Sequence, residues 1–293
     1  MKKLMIAASA ALCATVGFSD VTSANVVGYL NKTDTRKDFN YVTPPFRPVG
    51  GGDTSIQDIQ LDKTVISGQA DIQWLNEGCA KASLYNWYTL ADAKKNGVDT
   101  TPYEAKGLNG IWMYYKPKTK SSPAVIIIPS GEDDLVEVGD GLQISLPAVA
   151  EGADPYQIQF NGQVGEDDMF QHSRAGFNYV GNPYAAPISI QDIQLDTTAI
   201  SGQPDIQRLN DGAAKEFLYG WYTLEDAQKN GVDITPYEGL NGIWMYYKPK
   251  TKSSPAVITI PSGDHDLVPA GAALQVQTPT DGIDITVLCP YDL

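Results

Sequence analysis

Histidine is nearly missing from this chain, with two in 293 residues, His172 and His265. A Ser-His-Asp or Cys-His site needs a histidine held beside a nucleophile, and zinc sites of the usual kind draw on Cys and His. Neither histidine belongs to the internal repeat described below, so such chemistry would have to be built from loop residues of one unit alone. Cysteine is scarce too, three in all. Cys13 lies in the N-terminal leader, which leaves Cys79 and Cys289. An oxidising compartment would permit a bridge between them, but Ala213 stands in the second copy where Cys79 stands in the first. There is no P-loop and no dinucleotide fingerprint, and no cofactor is expected. Charged residues make up 19%, and the basic ones are the minority, 21 Lys and Arg against 35 Asp and Glu. The net charge of −14 repels the phosphate backbone and argues against a nucleic-acid partner; an anionic membrane surface is disfavoured likewise. No stretch of the mature chain is long and apolar enough to span a bilayer.

Residues 1–19 read as a secretory signal peptide. Lys2 and Lys3 precede a short apolar run, and small residues follow. Cleavage is expected before Asp20, with Ala24 as the second choice for the last leader residue. The surroundings of Cys13 make a poor lipidation box. The mature protein is thus expected to be secreted, periplasmic or held at the cell surface.

What dominates the rest is a repeat, a feature to be read before any local pattern. Gly107 to Ile126 returns letter for letter as Gly239 to Ile258. The match spreads outward: 38 of the 50 residues from Ser55 to Glu104 are identical to Ser189 to Glu238, and 24 of 25 from Gly107 to Gly131 recur at Gly239 to Gly263. Ala105 and Lys106 are an insertion in the first copy. With 27 Gly, 19 Pro and 10% aromatics, the chain leans towards strands and turns. The expected fold is all-β with minor short helices, as two tandem β-sandwich-like units spanning 25–155 and 156–293.

Differences between the copies show which faces are wet. Ile127 is replaced by Thr259 while Ile126 and Ile128 keep Ile258 and Ile260, so the latter pair faces inward. By the same comparison Leu142 and Ile144 face inward and Gln143 and Ser145 outward. Ser55 to Asp58 and Ser189 to Asp192 resemble capping boxes. Thr89 to Gly97 has the start and stop signals of one short helix, and Lys116 to Pro123 reads as a hairpin loop. The run Tyr156 to Val164 corresponds loosely to both the first and the last strand of a unit. Trp74 becomes Arg208 and is therefore expected to be exposed or peripheral.

Ala175 to Tyr184 contains Gly176-Phe-Asn-Tyr-Val-Gly-Asn-Pro-Tyr184. This segment, with Leu267 to Val276 and the leading Asn25 to Tyr29, resembles a family of exported bacterial β-repeat proteins. The resemblance implies a secreted or surface-associated β-sandwich and carries over no catalytic residue. The first copy departs from the pattern, with Thr43-Pro-Pro-Phe46 in place of Gly-Asn-Pro-aromatic.

Acidic runs raise the question of calcium, which takes six to eight oxygen ligands. Glu132, Asp133, Asp134, Glu137 and Asp140 could supply some, but Pro269 and Ala272 replace two of them in the second copy, and no metal site is expected. Repeated acids such as Asp58 and Asp192 would serve a hydrolase only across a cleft. Repeated aromatics are the better lead. Trp87, Tyr103, Trp112, Trp221, Tyr237 and Trp244 either fill the core or present flat faces to a sugar ring. The expected function is therefore a non-catalytic exported structural or interaction protein, whose partners are further copies in an oligomer or surface array. The alternative is a carbohydrate-binding module that uses those aromatics on a polysaccharide.

Overall fold

The computed structural model describes residues 27–33, 35, 37–62, 67–75, 84–196, 201–202, 204–209, 218–280 and 282–291. The leader and Cys79 lie outside the described residues, and with them any Cys79–Cys289 bridge; Cys289 has no disulfide partner among the described residues.

The first unit supplies β1 (Val27–Lys32), β2 (Asp38–Val42), β3 (Thr54–Ser55), β4 (Gln60–Leu61), β5 (Asp71–Trp74) and β6 (Tyr85–Thr89). Two helices follow, α1 (Leu90–Lys95) and α2 (Thr101–Ala105). Then come β7 (Gly110–Lys116), β8 (Val125–Ile127), β9 (Leu135–Val136), β10 (Leu142–Leu146) and β11 (Ile158–Gln163). The strands pair antiparallel in the orders β2-β10-β5-β6-β7-β8, β1-β11-β4 and β3-β9. The second unit has β12 (Met169–His172), β13 (Gly176–Gly181), β14 (Ile188–Ser189), β15 (Ile193–Leu195), β16 (Asp205–Arg208) and β17 (Leu218–Thr223). After α3 (Leu224–Lys229) it continues with β18 (Gly242–Lys248), β19 (Val257–Thr259), β20 (Leu267–Val268), β21 (Ala273–Thr278) and β22 (Asp284–Val287). Its orders are β13-β21-β16-β17-β18-β19, β12-β22-β15 and β14-β20. The fold is all-β, and each half uses the same strand order.

β11 begins after Pro155, where the sequence reading placed the boundary, yet it pairs with β1 and β4. It occupies the middle of the first unit's small sheet as β22 does in the second. The run is thus the counterpart of the last strand, not of the first.

In each unit the six-stranded sheet packs one face on the three-stranded sheet. Ile72, Trp74, Trp87, Trp112, Leu142 and Ile144 from the large sheet meet Leu61, Ile158 and Phe160 from the small one. The alternation on β10, buried at Leu142 and Ile144 and half-exposed at Gln143 and Ser145, is the period-two pattern of a one-sided strand. The opposite face is covered only in part, where Ala93, Val98, Ile111 and Met113 gather with Tyr103, Ile126 and Ile128. The Thr89 hydroxyl caps α1 by accepting from the Asp92 N–H, and Gly97 follows the helix at φ 94°. Lys95, Ser67 and Thr89 together hold the Asp92 carboxyl down at about 2. α2 was not expected; Pro102 starts it, and the second copy, which lacks Ala105 and Lys106, keeps only a 3-10 turn at Thr235–Tyr237.

The two units join through equivalent backbone. The Thr43 N–H donates to the Gly271 carbonyl at 3.0 Å, and the Gly181 N–H donates to the Gly139 carbonyl at 2.8 Å. Thr43 corresponds to Gly181, and Gly139 to Gly271. The bridges Val42 to Ala272 and Asp140 to Val180 obey the same exchange. The junction is therefore a two-fold contact inside one chain, of the isologous kind found in dimers. Gly139 and Gly271 both sit at positive φ, 88° and 68°, which a residue with a side chain rarely adopts. At the axis, a Cβ on Gly181 would lie 2.1 Å from the Thr43 Cβ. One of the two equivalent positions must be glycine, which explains why the first copy departs from Gly-Asn-Pro.

Gly181→Ala should therefore destabilise the chain by about 1–3 kcal/mol, as overpacking does. Adding Thr43→Gly should recover most of that loss in a double-mutant cycle read by urea unfolding. A neutral Gly181→Ala, or no coupling between the two changes, would remove the close approach from the account.

Candidate functional site

The six aromatic candidates are not gathered into one surface. Trp112, Trp221 and Trp244 are fully buried and Trp87 is 1% exposed. They form two edge-on or tilted pairs, Trp87 with Trp112 and Trp221 with Trp244, at centroid distances of 5.1 and 5.0 Å. Tyr103 and Tyr237 are half-buried on the other side of the large sheet, against the small helix-covered clusters. Rings sealed in the sandwich have no face to offer a sugar, so the aromatic-platform expectation fails for the four tryptophans. Trp74 is corrected too: it is 3% exposed, and its indole N–H donates to the Leu135 carbonyl at 3.3 Å. In the second unit the Arg208 guanidinium donates instead to the Asp264 carbonyl on the corresponding segment. The replacement marks two ways of holding one loop, not an exposed position.

Why the tryptophans are held so tightly follows from the half of β7 that lacks a neighbour. β6 pairs along Gly110 to Met113, but β8 pairs only from Tyr114 onward. Among the described residues no strand pairs with the outer edge of 109–112. Two glutamine amides stand in. Gln57 donates to the Trp112 carbonyl and accepts its N–H, both at 2.9 Å. Gln60 accepts from the Asn109 N–H at 2.7 Å and the Gly110 N–H at 3.3 Å, and donates to the Gly110 carbonyl at 3.3 Å. Gln191 and Gln194 repeat these bonds on Trp244, Asn241 and Gly242. The Trp112 indole N–H then reaches the Ile59 carbonyl at 2.7 Å. These buried amides were not singled out from the sequence. Their signal was present, since a polar Gln recurs at both positions inside Ile-Gln-Asp-Ile-Gln-Leu.

The repeated carboxylates sit beside this network. Ser55 caps the 3-10 turn Ile56–Asp58 and donates its hydroxyl to the Asp134 Oδ2 at 2.8 Å. In the second unit Ser189 donates to Asp266 at 2.7 Å, and its own N–H donates to Asp192 at 2.8 Å, which completes a capping box. Burial raises the carboxyl of Asp134 most, with the Asp58 charge adding to it and the Ser55 hydroxyl and Lys106 opposing. Asp58 is raised chiefly by burial and Asp192 by burial and then by Asp266. Two half-buried acids beside a serine hydroxyl invite an acid-base reading. The serine is spent as an N-cap, however, and its hydroxyl ties Asp134 or Asp266 of a neighbouring turn to that cap. Glu132, Asp133, Asp134, Glu137 and Asp140 do not form a cage; among the described residues no three His, Cys, Asp or Glu are grouped to hold a metal ion.

His172 Nδ1 lies 2.5 Å from an Asp284 oxygen across β12 and β22, on the exposed side. Ser173 follows it in extended chain and is buried, so the hydroxyl and the imidazole point to opposite faces. They cannot act together. An open depression of about 480 Å³ is lined by Asp62, Thr89, Leu90, Glu104 and Asn109, with Trp87 reaching it. Glu104 there accepts from the Thr100 hydroxyl at 2.7 Å, and Asn109 is held by Leu61 and Gln159. Scanned against protein-family models, curated proteins and solved structures, the chain gives no significant match.

Gln57→Leu keeps much of the volume but strands both backbone groups of Trp112. A loss of about 2–6 kcal/mol is expected, at about 1–3 kcal/mol for each of the two unsatisfied buried groups, measured by denaturant unfolding; a loss below about 1 kcal/mol would show that water takes over the role. The carboxylate pair gives a pH test. Asp134 has a folded pKa raised above its unfolded value, so its ionisation weakens the fold as pH rises through that range. Asp134→Asn should therefore gain stability relative to the native chain at pH 7 and lose that gain towards pH 4. An equal difference at both pH values would show that the pair is not coupled to folding.

Proposed function

We propose that the chain is an exported, non-catalytic β-scaffold that works by contact, as a structural or interaction protein of the cell surface or extracellular space. The observation that carries this reading is where the repeated polar residues go. Ser55, Asp58, Asp134, Gln57 and Gln60, with their second-unit counterparts, are committed to caps and to the open edge of β7. They hold the fold and are not aimed at a shared cleft. The reading of residues 1–19 as a signal peptide supports export, and so does the resemblance of Gly176 to Tyr184 to exported β-repeat proteins. The carbohydrate-binding alternative loses Trp87, Trp112, Trp221 and Trp244, whose rings are enclosed.

Cell fractionation should recover the chain outside the cytoplasm with residues 1–19 removed, as read from the mass of the mature N-terminus. A cytoplasmic chain with its leader intact overturns export. Chromogenic glycosides, esters and peptides should all remain uncleaved by the purified chain. Turnover that disappears in Asp134→Asn or Asp58→Asn overturns the non-catalytic half.

A further inference from the structure

The repeated block also carries a charge that sets it apart from the rest of the molecule. Between Glu104 and Glu132 there is no acidic residue, and between Glu238 and Asp264 there is none either. Each interval holds one hairpin tip with three lysines, Lys116, Lys118 and Lys120 in the first unit and Lys248, Lys250 and Lys252 in the second. All six are exposed, and none forms an ion pair among the described residues. Taking them out of the net charge of −14 leaves −20 on the rest of the chain. The body includes exposed acids on the turn after each hairpin and on the connector between units, among them Glu132, Asp133, Glu166 and Asp167.

The place of the tips in the fold gives this polarity a direction. β2 and β13 meet at the junction of the units, and β8 and β19 are the opposite outer strands of their sheets. Each lysine tip therefore projects from the sheet edge farthest from the junction. The junction itself is closed by its two-fold symmetry and has no second half to offer another chain. The outer strands are poor templates for strand pairing as well. β8 and β19 are three residues long, and prolines bracket them at 123, 129, 255 and 261; short, proline-flanked and lysine-flanked edges resist edge-to-edge addition. At these outer edges, charge is the feature a second copy can read.

We propose that the two lysine tips are docking points for the acidic body of a second copy of this chain. The contact is tip to body, hence heterologous, and a chain with two tips propagates it into an open assembly. This deepens the reading of the protein as a structural scaffold and rests on it. The charge also sets the orientation between copies: body repels body, so tip-first encounters are favoured.

Sedimentation velocity of the full mature chain tests this at about 0.01 M and about 1 M salt, where the Debye length falls from about 30 Å to about 3 Å. Species larger than one chain should form with rising concentration at low salt and vanish at high salt. Charge reversal of the tips (Lys116, Lys118, Lys120, Lys248, Lys250 and Lys252, each to Glu) should weaken association roughly tenfold or more, as expected for a steered, screened contact. The corresponding Gln variant separates loss of attraction from added repulsion and should weaken it as well. A native chain that stays single at low salt overturns the proposal, and so does association that survives tip reversal. A single chain that binds a fluorescent anionic polysaccharide through the same lysines overturns it in favour of that polymer. None of these failures touches export or the lack of turnover, which rest on fractionation and substrate panels.

Discussion

The bond between a glutamine side chain and the backbone of β7 is the constraint on which each unit depends. A strand whose neighbour begins halfway along leaves N–H and C=O groups facing the interior, and an unpaired buried group of that kind is costly. Gln57 meets the donor and the acceptor of Trp112 at once, as an adjacent strand would. Gln60 does the same one turn further along for Asn109 and Gly110. With the edge satisfied, Trp112 can bury its ring completely and Trp87 can pack across it. Gly110 then has to be glycine for want of space, since a Cβ there would lie 2.4 Å from the Tyr88 carbonyl oxygen and 2.6 Å from the Trp87 ring. Gly110 and Trp112 of the repeated block thus recur for a packing reason. Glycine, tryptophan and the remote glutamine form one fitted set, and changing any one strands the others.

The same logic of fit operates at the junction, with the opposite outcome for symmetry. Inside a unit, repetition is kept because each copy faces the same neighbours. At the axis a residue faces its own counterpart, and two threonines cannot occupy the space that Thr43 and Gly181 share. The copies had to differ there. Around the axis the arrangement stays paired: Gly139 packs towards Met169, while Gly271 packs towards Leu30. Asn182 takes the turn of the second copy in hand, accepting from the Tyr184 N–H at 3.0 Å and donating to the Val268 and Ala186 carbonyls. The first copy has Pro44 at that place and uses proline stiffness where the second uses an amide.

How much of this could be read from the sequence depended on how local the cause was. Alternation along β10 and β8, the caps at Ser55, Ser189 and Thr89, and the end of α1 at Gly97 are written within a few neighbouring residues. They were legible. Trp74 was not, because its indole meets the Leu135 carbonyl 61 residues away, and its replacement by Arg208, which bonds the Asp264 carbonyl, masks that contact behind a change of polarity. β11 was open for the same reason: its alternation says strand, but only the pairing with β1 and β4 says whose. As for the candidate site, aromatic content alone could not separate a platform from a core. The deciding fact was the missing half-neighbour of β7, which turns polar Gln57 into a buried residue and closes the tryptophans behind it.

That outcome bears on where a function of this chain can reside. Ser55, Gln57 and Gln60, with their counterparts, are held by groups of their own unit. What the sandwich leaves outward is set by the strand edges, where burial ends: on β7 the pattern runs through four buried residues to an exposed Tyr114 and then Lys116. The second copy repeats the change at Tyr246 and Lys248. The change from buried to exposed occurs within β7 and its counterpart, and the remaining lysines follow in the hairpin loop. The residues that build the core and those that face outward are therefore parts of one device. The block that recurs unchanged between the copies spans them both.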